Sequence, residues 1–127
     1  MTEQEAISAV NSIVSYRAQL LEASPLVARL SETLGISVKA LLPMIADSKG
    51  RKDSKRLYKN KPMRRRIYLR HEGICFHCNE QVAPEDMQVD HIIPWFFGGK
   101  TSEENGVCSC GHCNMQHQNQ LNYSPRK

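Results

Sequence analysis

Four cysteines stand in two short pairs, Cys75-Phe-His-Cys78 and Cys110-Gly-His-Cys113. Two Cys-x-x-Cys pairs bring four thiolates within reach of one tetrahedral zinc, and with that ion they staple a small module. Between the pairs lie Asp90-His91-Ile-Ile-Pro94, Gly98-Gly99 and Asn105. A hard carboxylate oxygen beside an imidazole, at the end of an apolar run, suits a second metal site with chemistry. Cys108 is left over between Val107 and Ser109. Strand alternation would bury it as a packed thiol rather than a fifth ligand.

The elements that must position these groups can be read locally. Met-Gln-Val-Asp-His-Ile-Ile over 87–93 predicts a strand. Neighbours on a regular strand point to opposite faces, so Asp90 and His91 can share a site only if the strand twists or ends there. Pro94 is a reason for pairing to stop. Trp95-Phe96-Phe97 and Gly98-Gly99 form the turn back, with the aromatics expected to cover the small core. Asn105 to Ser109 is the predicted returning strand. A helix from about Gly111 to Asn122 follows, with Asn114 and His117 three apart on one face.

The order Cys-x-x-Cys, Asp-His-Ile-x-Pro, Gly-Gly, Asn, Cys-x-x-Cys-Asn resembles the HNH endonucleases, also called His-Me finger or ββα-metal nucleases. The resemblance covers roughly residues 64–121. It implies an α+β fold: a zinc-stapled ββα-metal module over 62–127, with structural Zn²⁺ on Cys75, Cys78, Cys110 and Cys113. It also implies a catalytic Mg²⁺ or Mn²⁺ held by Asp90, Asn114 and His117, with DNA, double-stranded, as partner. Phosphodiester hydrolysis needs a deprotonated water, charge neutralisation and help for the leaving oxygen. His91 has an intrinsic pKa suited to taking the proton, and Asp90 offers the hard ligand. Asn105 matches the residue that orients the loop carrying the base; Gly106 follows it where the family usually has an apolar residue. His117 falls where the family has a further ligand or phosphate contact. His77 and His112, inside knuckles already supplied with cysteines, are expected to be solvated or to touch phosphate.

The whole chain carries a formal charge of +4, but residues 47–66 hold ten Lys or Arg against Asp47 and Asp53, a local balance of +8. That segment reads as a basic linker over 47–61 running into a basic helix. Lys49, Arg51, Lys52, Lys55, Arg56, Lys59, Lys61, Arg64, Arg65, Arg66 and Arg70 are its expected nucleic-acid contacts. No apolar run is long enough to span a membrane. The acidic Met1-Thr-Glu-Gln-Glu5 start lacks the features of a signal peptide. Knuckle cysteines fit a reducing cytoplasm better than disulfides.

Residues 1–46 read as a helical N-terminal region. Thr2 and Glu5 match a capping box for a helix over about 3–22, with Ile7, Val10, Val14, Leu20 and Leu21 as its stripe. Ser24-Pro25 starts a second helix, Gly35 ends it, and Ser37 caps a third carrying Val38, Leu41, Leu42 and Ile45. The pair resembles a helix-turn-helix. With Lys39 as its only basic residue, and Pro43 expected to kink or end it, the last helix suits packing or homodimer contact better than reading bases. Two other functions fit the same residues: a non-catalytic zinc-containing DNA-binding regulator, and a nonspecific DNase or RNase toxin.

Overall fold

The computed structural model describes residues 2–6, 19–46, 57–117 and 120–125. Residues 3–6 and 19–22 are helical, and Thr2 Oγ1 accepts from the Glu5 amide at 3.1 Å, half of the expected capping box. Ile7, Val10 and Val14 lie outside the described residues. Leu21 is buried, whereas Leu20 faces solvent.

Pro25 at its first turn pre-sets the backbone of α1 (Pro25–Leu34). Ser24 takes the N-cap position without capping; its hydroxyl donates instead to Asn122 Oδ1 at 2.7 Å. Gly35 closes the helix at φ 68°, and the Ile36 amide bonds back to the Ser31 carbonyl. Ser37 caps α2 (Val38–Ile45) by accepting from the Ala40 amide. The helix runs through Pro43 and stops two residues later. A proline this close to the C-terminus removes one hydrogen bond where few remain to be made.

These helices lie on the rest of the chain. Leu26, Val27, Leu30, Leu41 and Ile45 form one buried cluster with Phe76, Ile92, Ile93 and Val107. Burying each such side chain contributes about 1.5–3 kcal/mol. Polar contacts seal the seam: Arg29 stacks over the Phe76 ring at 4.3 Å and donates to its carbonyl. The Lys100 amide donates to Ile45 O at 2.8 Å, and Ala46 bridges Gly99.

Asn60 caps α3 (Lys61–Arg70), its side chain accepting from the Met63 amide at 2.9 Å. Strands β1 (Gln88–His91) and β2 (Gly106–Ser109) pair antiparallel, with Asp90 opposite Val107 and His91 opposite Gly106. Helix α4 (Gly111–His117) packs on β1, completing a strand-strand-helix unit behind the expected α+β architecture. A second buried cluster joins Cys75, Cys78, Cys108 and Cys113 with Val82 and Met87. Cys108 is fully buried, and burial pushes its thiol up to about 11, as a packed thiol requires. Among the described residues no helix is long and apolar enough to cross a membrane.

Candidate active site

The first half of the site is the cysteine cluster. The four sulfurs of Cys75, Cys78, Cys110 and Cys113 lie within 4.8 Å of one another. A tetrahedral ion with Zn–S bonds of about 2.3 Å requires sulfurs about 3.8 Å apart. Cys78 Sγ and Cys110 Sγ stand at 3.9 Å, so the donor set and its spacing fit zinc. Burial acts to raise the Cys75 thiol, but backbone N–H groups of Cys78, Cys110 and His77 outweigh it and bring it down to about 7. Burial pushes the Cys78 and Cys113 thiols upward.

The second half forms where β1 ends. The amide of Ile92 is taken by Asn105 O at 2.9 Å, and that of Ile93 by the Asn105 side-chain oxygen at 2.9 Å. Asn105 Nδ2 in turn donates to Ile93 O and Lys100 O. One fully buried amide therefore clamps both ends of the 93–100 loop. At its far end Gly99 packs against backbone: a Cβ there would lie 1.7 Å from the Ile93 carbonyl oxygen. Because the strand stops at this clamp, Asp90 and His91 both line one cleft of about 330 Å³. Lys59, Arg64, Trp95 and Asn114 line it too. Phe96 and Phe97 are exposed, so the aromatic turn walls the cleft and does not cover the core as expected.

His91 is half-buried, with Nε2 2.9 Å from Thr101 Oγ1 and the Tyr58 ring 4.7 Å from its own. Asp90 is buried and turned towards α4, where its Oδ2 lies 2.6 Å from His117 Nδ1. The same oxygen lies 2.6 Å from His77 Nε2. The ligand atoms of His77, Asp90 and His117 fall within 4.8 Å of one another, a second group able to hold a metal. His77 was therefore missed: sequence reasoning placed it in solvent or on phosphate. Its position among ligand cysteines was the only local signal, and the turn that points it inward is a tertiary feature. His112 is exposed, as expected for a knuckle residue outside the zinc set.

The basic residues divide. Lys49, Arg51, Lys52, Lys55 and Arg56 lie outside the described residues. Lys59, Lys61 and Arg65 are exposed. Arg64 donates to Tyr58 O at 3.1 Å and Met87 O at 3.3 Å while lining the cleft. Arg66 pairs with Glu103 at 2.7 Å, and Arg70 donates to the carbonyls of Glu103 and Gly106. The last two anchor the loop before β2.

A two-stranded antiparallel hairpin and a helix, enclosing buried carboxylate and imidazole donors beside four cysteines that could hold zinc, define a ββα module. Residues 75–120 match the model of a family described as HNH endonuclease, and the four-cysteine cluster is consistent with the zinc-binding variety of that domain. A search of curated proteins returned no match to the chain. An HNH domain supports a nuclease-type function and binding of divalent metal.

Proposed function

We propose that this protein is a metal-dependent DNA endonuclease that hydrolyses phosphodiester bonds, leaving 5′-phosphate and 3′-hydroxyl ends. The observation that carries the reading is the shared cleft, which is lined by His91 and Asp90 together with the cationic Lys59 and Arg64. His91 takes the proton from the attacking water, with Thr101 and Tyr58 setting its ring. Asp90, Asn114 and His117 are the protein's donors for a divalent ion, Mg²⁺ or Mn²⁺. When bound there, such an ion supplies charge stabilisation to the phosphate and the leaving oxygen. Asn105 touches no reacting atom; it positions the loop that follows the base. Lys59, Arg64, Arg65 and Lys61, with the basic residues of 47–56, contact the DNA backbone.

One cleft cuts one strand at a time, so a double-strand break needs a second copy or a second visit. The N-terminal helices are our candidate for contact between copies. Knuckle cysteines that act as metal ligands suit a reducing compartment, and the cytoplasm is our proposed location.

The test is supercoiled-plasmid cleavage in Mg²⁺, Mn²⁺ or EDTA, for wild type and His91→Ala. Nicking that needs the metal and disappears in the variant is the expected result. Loss of His91 should slow cleavage by about 10²–10⁴-fold, the usual contribution of a general base. Salt-sensitive DNA binding without scission by zinc-loaded protein would instead make it a regulator. Faster turnover of RNA than of duplex DNA would make it a ribonuclease.

A further inference from the structure

The nuclease reading leaves one buried side chain without a task. The His77 imidazole is fully buried, yet the four cysteines around it already complete a tetrahedral set. Its Nε2 and His117 Nδ1 both stand 2.6 Å from a single oxygen, Asp90 Oδ2. Ordinary N–H···O hydrogen bonds cluster at about 2.9–3.0 Å, so two nitrogens are drawn unusually close to that oxygen. The two rings lie 5.1 Å apart, and Tyr123 packs 5.2 Å from His77, leaving the trio inside the protein. His77 Nδ1 and His117 Nε2 have no hydrogen-bond partner among the described residues. Apolar side chains would fill this space without burying four imidazole nitrogens and a carboxylate, a burial that costs stability and that Asp90 offsets at only one nitrogen of each ring.

We propose that His77 is a further protein donor of the divalent-metal site, which then holds two imidazoles and one carboxylate beside the Asn114 amide. This rests on the nuclease reading for Asp90 and His117 and adds to it a residue from the zinc knuckle. Two nitrogen donors change the choice of ion. Mg²⁺ prefers oxygen ligands and sheds its waters reluctantly, whereas imidazole suits Co²⁺, Ni²⁺ and Zn²⁺. The site therefore selects such cations over Mg²⁺, with Mn²⁺ between them. Because His77 sits between Cys75 and Cys78, zinc in the cysteine cluster also sets the position of this donor.

The experiment uses the full chain with its cysteine site already filled by zinc, titrated with Co²⁺ or Mg²⁺ and followed by calorimetry and visible absorption. One further Co²⁺ per chain is expected, bound roughly a hundredfold or more tighter than Mg²⁺. His77→Ala should weaken Co²⁺ by about a hundredfold, since even outer partners of a ligand change affinity by about 10–100-fold. Its zinc content should be unchanged. Equal affinities for the two ions, or unaltered Co²⁺ binding in the variant, would overturn the proposal.

Should His77→Ala not fold, proton NMR of the Co²⁺-loaded wild type decides. Two strongly shifted, ligated imidazoles are expected, and one would overturn it. Plasmid cleavage on the same samples separates this proposal from the nuclease reading. Co²⁺ held through His77 with no cleavage of any nucleic acid removes the enzyme and keeps the site. Cleavage with metal binding indifferent to His77 does the reverse.

Discussion

The Tyr58 ring rests 4.7 Å from the His91 ring, and the residue that permits this is Gly106, which faces His91 across the sheet. A Cβ on Gly106 would meet Val89, Ile67 and Tyr58 at 2.8–3.0 Å. Tyr58 also donates through its hydroxyl to Ser102 O at 2.8 Å. A glycine where the family usually has an apolar side chain thus makes room for an aromatic ring that comes from within the basic segment. The ring lies against the histidine we assign as base.

Gly106→Ala should push Tyr58 away from His91. Overpacking of this kind costs about 1–3 kcal/mol, and cleavage should fall with zinc content unchanged. Urea denaturation and plasmid nicking check both parts. A variant as stable and as active as wild type would remove Tyr58 from any positioning role.

Asp90→Asn keeps an oxygen able to face both His77 and His117 but removes the negative charge. The variant should keep its fold and its zinc while losing the second metal and cleavage. Isothermal titration with Mn²⁺ alongside circular dichroism makes the comparison. Wild-type Mn²⁺ affinity in this variant would show that the ion sits elsewhere.

Removing zinc should loosen the second core, because four of its buried members or close neighbours are the ligand thiols. Ligation needs thiolates, and burial holds Cys78 and Cys113 in their protonated form, so protons compete with the ion. Zinc affinity should therefore rise with pH, and a chelator should strip the protein faster at about pH 6 than at about pH 8. Release measured with a colorimetric zinc indicator at both values tests the sign. Equal rates would argue against ligation by these thiols.

His71 contributes a pH dependence of its own. Burial, reinforced by the neighbouring Arg70 charge, lowers its pKa from 6.5 to about 4. A base with a depressed folded pKa is protonated more readily in the unfolded chain. Its contribution is complete above 6.5, drains away as pH falls towards about 4, and changes no further below that. Partial solvent access moderates the size. His71→Gln should flatten the fall in melting temperature over that window, and parallel curves for the two proteins would discount this residue.

Much of this molecule was legible locally. Cys-x-x-Cys spacing brings the two thiols of each pair together across one turn, whereas the meeting of the two pairs at Cys78 and Cys110 is a tertiary feature. Gly35 and Ser37 mark helix ends through backbone requirements that act within a few residues, and the described structure agrees. Asp90, His91 and Asn105 were legible as a series, since each stands at a strand end or turn where such residue types are informative.

What spacing does not carry is direction. Whether His77 points to solvent or into the protein depends on how the knuckle turn meets β1 and α4, elements 13 and 40 positions further along the chain in the persons of Asp90 and His117. The same holds for α1 and α2. Their apolar stripes were plain, but a stripe names no partner, and only the assembled core sets Leu30 and Ile45 with Phe76 and Ile93. Hydrophobic burial is non-directional, so local sequence specified which faces must be covered, and tertiary packing decided by what.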